Sequence, residues 1–189
     1  MNFTEEVEKA LKALRASGVI LYPTDTVWGI GCDATNAEAV GRIFRIKARD
    51  DAKSLVVLAS DMDMVSSYVE GIPPMAETIM EVSDKPVTII YPKGTGLAWN
   101  VTAPDGSIAI RIPRHEFCQR LLKAFGKPIV STSANISGDA APRRFSEITE
   151  NIKSAMDVCV DPAFEKVSTG RPSSIIMLGM DDQVRIIRE

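Results

Sequence analysis

Four short segments place hydroxyl, amide and cationic side chains directly after, or within, strongly apolar runs. They are Thr24-Asp25-Thr26 after Val19-Ile20-Leu21-Tyr22-Pro23, the triplet Lys47-Ala48-Arg49, Arg111 inside Ile108-Ala109-Ile110-Arg111-Ile112, and Ser131-Thr132-Ser133-Ala134-Asn135-Ile136-Ser137-Gly138 after Ile129-Val130. Hydroxyls and turn N–H groups at strand ends hold carboxylate or phosphate, and a guanidinium grips either anion through a bidentate fork. The chemistry these residue types share is anion binding and charge neutralisation.

Each segment also has a plainer reading. Thr24-Asp25-Thr26 fits an ordinary Asx/Thr turn, and Lys47 with Arg49 fits a solvated helix end whose cations oppose the dipole. Arg111 is the sharper signal, because an arginine within an apolar alternating strand needs an anionic partner. That partner is either a ligand, the reading we favour, or one of the chain's 25 acidic residues. The Ser131–Gly138 stretch is a polar loop or a ligand loop, and the carboxyl ends of strands in α/β sheets are where ligands sit. Lys93-Gly94-Thr95-Gly96 reads as a turn, since the chain contains neither G-x-x-x-x-G-K-[ST] nor G-x-G-x-x-G. His115 is the only histidine, which excludes a His-rich metal site and H-E-x-x-H; with no G-x-S-x-G, it reads as a helix-start residue. Trp28 and Trp99 have the faces to stack a base, but single aromatics more often serve core or rim.

The elements that must position these groups fit one domain spanning 1–189. With 189 residues the chain buries a sizeable core unaided, and its net charge of −3 argues against a protein that coats nucleic acid while leaving room for a local basic cleft. Cys32, Cys118 and Cys159 form no C-x-x-C pair, so a reducing, cytoplasmic setting is expected. The acidic start Met1-Asn2-Phe3-Thr4-Glu5-Glu6 resembles neither a signal peptide nor an anchor, and no membrane contact is expected. An enzyme built this way works with positioned charges and a metal brought by its substrate, and no metal ligands of its own are assigned.

Periodicity predicts a helix through Val7, Ala10, Leu11 and Leu14 with Thr4 as N-cap, then a strand over 19–22. A second helix is capped by Asn36 and carries Val40, Ile43, Phe44 and Lys47. A strand over 55–59, short helices near 62–70 and 74–82, and strands over 87–91 and 106–113 follow. In the last of these Arg111 faces away from Ile108, Ile110 and Ile112. A helix through Phe117, Leu121, Leu122 and Phe125 ends at Gly126, and a strand starts at 128–130. A helix near 146–155 and strands near 157–160, 174–178 and 183–187 complete an α/β class with a mixed sheet.

The ordered set Tyr22-Pro23-Thr24-Asp25-Thr26-Val27-Trp28-Gly29, Lys47-x-Arg49, Lys85-Pro86-Val87-Thr88, Arg111-Ile112-Pro113 and Ser131-x-Ser133-Ala134-Asn135-x-Ser137-Gly138 resembles the Sua5/YciO/YrdC family over nearly the whole chain, in its single-domain YrdC-like form. The resemblance implies a twisted α/β sheet flanked by helices around a concave basic cavity. It also implies a nucleotidyltransferase, L-threonylcarbamoyladenylate synthase. Such an enzyme makes threonylcarbamoyl-AMP and pyrophosphate from L-threonine, bicarbonate and ATP, with Mg²⁺ accompanying ATP, for threonylcarbamoyladenosine at tRNA position 37. By the same resemblance Lys47 and Arg49 are catalytic, and Thr26, Arg111 and Ser131 bind threonine. Arg49, Lys53, Ser107, Ser133, Asn135, Ala141 and Arg171 bind ATP. The implied partners are a downstream tRNA threonylcarbamoyl transferase machinery and tRNA or double-stranded RNA. Asp50, Lys53, Leu58, Ala141 and the aspartate-free run Ser173–Met177 depart from the family's usual residues, which keeps a YciO-like paralogue or an RNA-binding protein with the same cavity as alternatives.

Overall fold

In a computed structural model of the chain, described over residues 2–48, 55–165, 168–181 and 183–189, the period of two in the strands sorts side chains onto two faces of one sheet. Its strands are β1 (Ile20–Tyr22), β2 (Gly29–Gly31), β3 (Val56–Leu58), β4 (Val87–Tyr91), β5 (Ile108–Arg111), β6 (Ile129–Ser133), β7 (Val158–Cys159), β8 (Ser174–Leu178) and β9 (Val184–Arg188). They lie in the order β7-β1-β2-β6-β3-β5-β4-β8-β9, with β1–β7, β3–β5 and β4–β8 parallel and the other pairs antiparallel. The mixed α/β sheet expected from the sequence is present.

Ile20, Tyr22, Leu58 and Ile129 face one side, where they pack under α1 (Phe3–Arg15) and α5 (Glu116–Phe125) through Val7, Ala10, Leu14, Phe117, Leu121 and Leu122. Leu21, Ile30, Val57, Ile89, Ile110 and Val130 face the other side and meet α2 (Ala37–Lys47) through Val40, Ile43 and Phe44. Each large apolar side chain so buried is worth about 1.5–3 kcal/mol. The shorter helices α3 (Met62–Ser67), α4 (Met75–Val82) and α6 (Glu150–Ser154) complete the fold.

Local chemistry sets the ends. Asn2, not Thr4, caps α1: its side chain accepts from the Thr4 N–H at 3.1 Å, and Thr4 lies inside the first turn. Asn36 caps α2 as expected, and Gly126 ends α5 at φ 71°. The helix expected near 146–155 is instead a 3₁₀ turn, Phe145–Glu147, followed by α6, because Ile148 is extended at ψ 128°. Strand β2 was not expected at all. Its Gly-Ile-Gly sequence has little strand propensity, but a Cβ on Gly31 would sit 2.4 Å from the Val130 carbonyl oxygen and 2.7 Å from the Tyr22 ring. The Tyr22 ring crosses β2, and its hydroxyl donates to Val130 O at 3.1 Å. Glycine is therefore what allows β2 to pass beneath that ring.

Candidate functional site

Helices α1 and α5 cover only part of their side of the sheet. Beyond them the same face continues, as the register shows: Val56 opposes both Ser131 and Ala109, Ser133 opposes Gly29, Ala109 opposes Ile90, and Arg111 opposes Leu58. This uncovered area is the floor of a cavity of about 320 Å³, walled by Thr26, Trp28, Ala141, Ser173 and Arg188. Thr26, Arg111, Ser131 and Ser133, expected on sequence grounds to act together, all line it.

Arg111 is 3% exposed. Its Nη1 pairs with Asp25 Oδ1 and its Nη2 donates to Thr26 Oγ1 at 3.2 Å, while Asp25 Oδ2 accepts from the Arg114 N–H at 3.0 Å. The two readings of Arg111 therefore hold together. It has an internal acidic partner, and it lines the cavity with two of the five guanidinium N–H groups committed to side chains among the described residues. The turn that carries Asp25 is tightly built: Thr24 Oγ1 donates to Val27 O at 2.7 Å and accepts from the Thr26 N–H at 3.1 Å. A distant segment straps it from outside, with Thr169 N–H on Asp25 O (3.0 Å), Gly170 N–H on Thr26 O (2.8 Å) and the Ser168 hydroxyl on Thr26 O.

Lys47 is buried, and its ammonium donates to Ser133 O at 2.5 Å and Asn135 O at 2.6 Å, while its own carbonyl accepts from the Ser137 N–H at 2.8 Å. It braces the end of β6 and does not line the cavity. Asn135 holds the following turn by donating from Nδ2 to Ile136 O and Asp139 O, and its buried Oδ1 has no hydrogen-bond partner among the described residues. Arg49 and Lys53 lie outside the described residues. Ala141 lines the cavity; Ser107 and Arg171 do not. Ser107 stands at the far end of β5 from Arg111, its N–H on the Asp105 carboxylate at 2.9 Å, and Arg171 is exposed in a turn closed by Thr169.

Among the lining residues that sequence reasoning did not assign to the site, Ser173 and Arg188 carry polar side chains. Arg188 donates from Nε and Nη2 to Ser173 O at 3.0 and 2.8 Å, and the Ser173 and Thr88 hydroxyls are 2.7 Å apart. No carboxylate among the described residues forms an ion pair with Arg188. Val184-Arg185-Ile186-Ile187-Arg188 carries no regular alternation that singles out Arg188, which reaches the cavity only because β9 follows β8 beside β4.

The remaining candidates take supporting places. Trp28 is buried in the cavity wall with its ring centroid 4.9 Å from that of Phe145, whereas Trp99 is 75% exposed and away from the cavity. His115 occupies the N-cap position of α5, with Nε2 3.0 Å from Phe164 O, and burial holds it below its ordinary pKa. The Cys118 thiol donates to Pro23 O at 3.2 Å, and burial raises its pKa strongly, which keeps it unreactive. Among the described residues no group of three or more His, Cys, Asp or Glu side chains stands together as a metal site, and no helix is long and apolar enough to cross a membrane.

Known proteins resemble the chain in sequence and fold. The family model Sua5_yciO_yrdC, described as telomere recombination, matches residues 12–189. Threonylcarbamoyl-AMP synthases of Halorhodospira halophila and Stenotrophomonas maltophilia are each 34% identical to the chain. The alignments span 82% of the chain and, respectively, 81% and 85% of the relative. Among solved structures, P. abyssi Sua5 complexed with L-threonine superposes with a TM-score of 0.85 at 26% identity over 94% of this chain, which spans about half (52%) of that protein's length. E. coli YciO superposes with a TM-score of 0.81 at 25% identity, covering 100% of this chain and 90% of its own. The family model spans both the Asp25–Arg111 end and the Ser173–Arg188 end of the cavity, and the chain belongs to the Sua5/YciO/YrdC family.

Proposed function

We propose that the chain is an L-threonylcarbamoyladenylate synthase, a nucleotidyltransferase that joins L-threonine, bicarbonate and MgATP into threonylcarbamoyl-AMP with release of pyrophosphate and water. The observation that carries this reading is the pairing, in one cavity, of a carboxylate-sized cationic end at Arg111 and Thr26 with a second cationic end at Arg188. The synthase relatives, 34% identical over most of the chain, support it.

In this reaction the amine of threonine takes up carbon dioxide as a carbamate. A carbamate oxygen then attacks the α-phosphorus of ATP, and the bond to the β-phosphate oxygen breaks. The nucleophile belongs to the substrate, so the protein's work is to align two anions and neutralise charge on the leaving pyrophosphate. Arg111 takes the threonine carboxylate through its uncommitted N–H groups, with Thr26 and Ser131 beside it. Ser133 and Ala141 border the nucleotide, and Arg188 meets its phosphates. Lys47 and Asn135 hold the strand end that presents Ser133. Mg²⁺ arrives as part of the nucleotide substrate and shields the triphosphate. Arg49 and Lys53 complete the expected ATP contacts. The product feeds a tRNA-modifying transferase that forms threonylcarbamoyladenosine at position 37.

The test is pyrophosphate release from MgATP with L-threonine and bicarbonate supplied and omitted in turn. Release that requires both is expected. Binding of ATP with no release under any combination would overturn the reading in favour of a YciO-like activity on another substrate. An RNA-binding role using the same cations is the weaker alternative, since Asp25 already offsets the charge of Arg111.

A further inference from the structure

The two cationic ends of the cavity differ in one respect that bears on what each accepts. Arg111 is buried beside a buried carboxylate, Asp25, which is 6% exposed and fixed from both sides: Oδ1 by the guanidinium and Oδ2 by the Arg114 N–H. Thr169 and Gly170 hold the backbone of the same turn, so both the main chain and the carboxylate of Asp25 are tethered. Arg188, by contrast, leans on a neutral carbonyl, Ser173 O.

Charges at the buried Arg111 end are weakly screened, so the local balance there decides which anion is held. At the Arg111 end the pair is close to neutral overall but still presents oriented N–H donors. A singly charged carboxylate is satisfied by those donors. A polyphosphate needs surplus positive charge and meets the Asp25 carboxylate instead. At the Arg188 end the cation is not offset by a carboxylate among the described residues. Rejecting a wrong anion by a like charge is an established route to specificity.

We propose that Asp25 is a specificity residue, whose carboxylate fixes Arg111 and offsets its charge so that this end of the cavity accepts a carboxylate and turns polyphosphate away toward Arg188. The inference rests on the proposed function for the identity of the carboxylate. Its physical content is a sorting of anions by charge. The sorting matters for any enzyme that must bind an amino acid next to a triphosphate, because pyrophosphate left behind at the amino-acid end would block the next turnover.

The experiment is calorimetric titration of inorganic pyrophosphate and of L-threonine, singly and together, into the full-length wild type, Asp25→Asn and Asp25→Glu. In the wild type the two ligands are expected to bind side by side. Asp25→Asn is expected to gain about tenfold or more in pyrophosphate affinity, and pyrophosphate then competes with threonine. Asp25→Glu, which keeps the charge, is expected to leave pyrophosphate weak. Unchanged or weaker pyrophosphate binding in Asp25→Asn would overturn the inference. So would competition between pyrophosphate and threonine in the wild type, a measurement that stands even if Asp25→Asn does not fold. A wild type that ignores threonine would sink the proposed function, while the pyrophosphate response of Asp25→Asn would still decide the role of Asp25.

Discussion

One face of the sheet is two different environments. Under α1 and α5, Leu58 and Ile129 are sealed against Phe117, Leu121 and Leu122. Two residues away along the same strands, Val56 and Ser131, and Ser133 two residues beyond that, floor an open cavity. In β6 the change occurs between Ile129 and Ser131, which share a face. The backbone ladder is common to both halves, so what separates scaffold from site is which side chains meet a helix and which meet solvent. A rigid, helix-covered half thus holds a polar half in register.

The largest effect is expected from Arg111→Ala. It leaves Asp25 a buried carboxylate without its cation. A stability loss of about 3–5 kcal/mol is expected, together with a fall in threonine affinity of at least about a hundredfold, read by denaturant titration and calorimetry. Stability equal to wild type would show that the pair contributes nothing to the boundary between the halves.

Phe117→Ala probes the covered half alone. It should cost about 3–5 kcal/mol of stability, while the fraction that remains folded keeps wild-type threonine affinity. A selective loss of threonine binding at unchanged stability would erase the distinction between scaffold and site. Arg188→Ala is the converse: an exposed change worth within about 0.5 kcal/mol to stability, yet expected to raise KM for ATP about tenfold with KM for threonine unaltered. Steady-state kinetics with each substrate varied will separate these outcomes.

The smallest effect is a pH dependence seated at the junction. Burial holds His115 below its ordinary pKa of 6.5, so the unfolded chain binds the proton more tightly than the folded one. The contribution of neutral His115 is complete above that value and is lost as pH falls below it toward the folded-state pKa. Denaturation midpoints should decline from pH 8 to pH 5, and His115→Gln should flatten the decline. An equal decline in both proteins would assign it to other groups.

Much of the site was legible because strand alternation is a local pattern. Ile108-Ala109-Ile110-Arg111 alone placed the guanidinium off the apolar face, whereas Ser131 and Ser133 fall in a stretch that reads as a loop, and only the extension of β6 through Ser133 puts them on the face of Ile129. What escaped was set by distant partners. β2 owes its glycines to the ring of Tyr22 and the carbonyl of Val130. Arg188 acquires its place only through the β4–β8–β9 order. Ser107 lies just before the strand that ends in Arg111, and the placement of Lys47 beneath β6 depends on α2 meeting the 133–137 turn, a tertiary fact that helical spacing does not encode.

The strap formed by Ser168, Thr169 and Gly170 across Asp25 and Thr26 bears on how the molecule matures. The turn is synthesised early, yet the groups that satisfy its carbonyls emerge from the ribosome more than 140 residues later, along with β8 and β9, which close the cavity. Contacts of such sequence separation form late and slowly. A nascent chain can therefore carry a nearly finished hydrophobic core while its ligand-binding loop is still unassembled. The turn of Asp25 and Thr26 is completed only after residues 168–170 have been made.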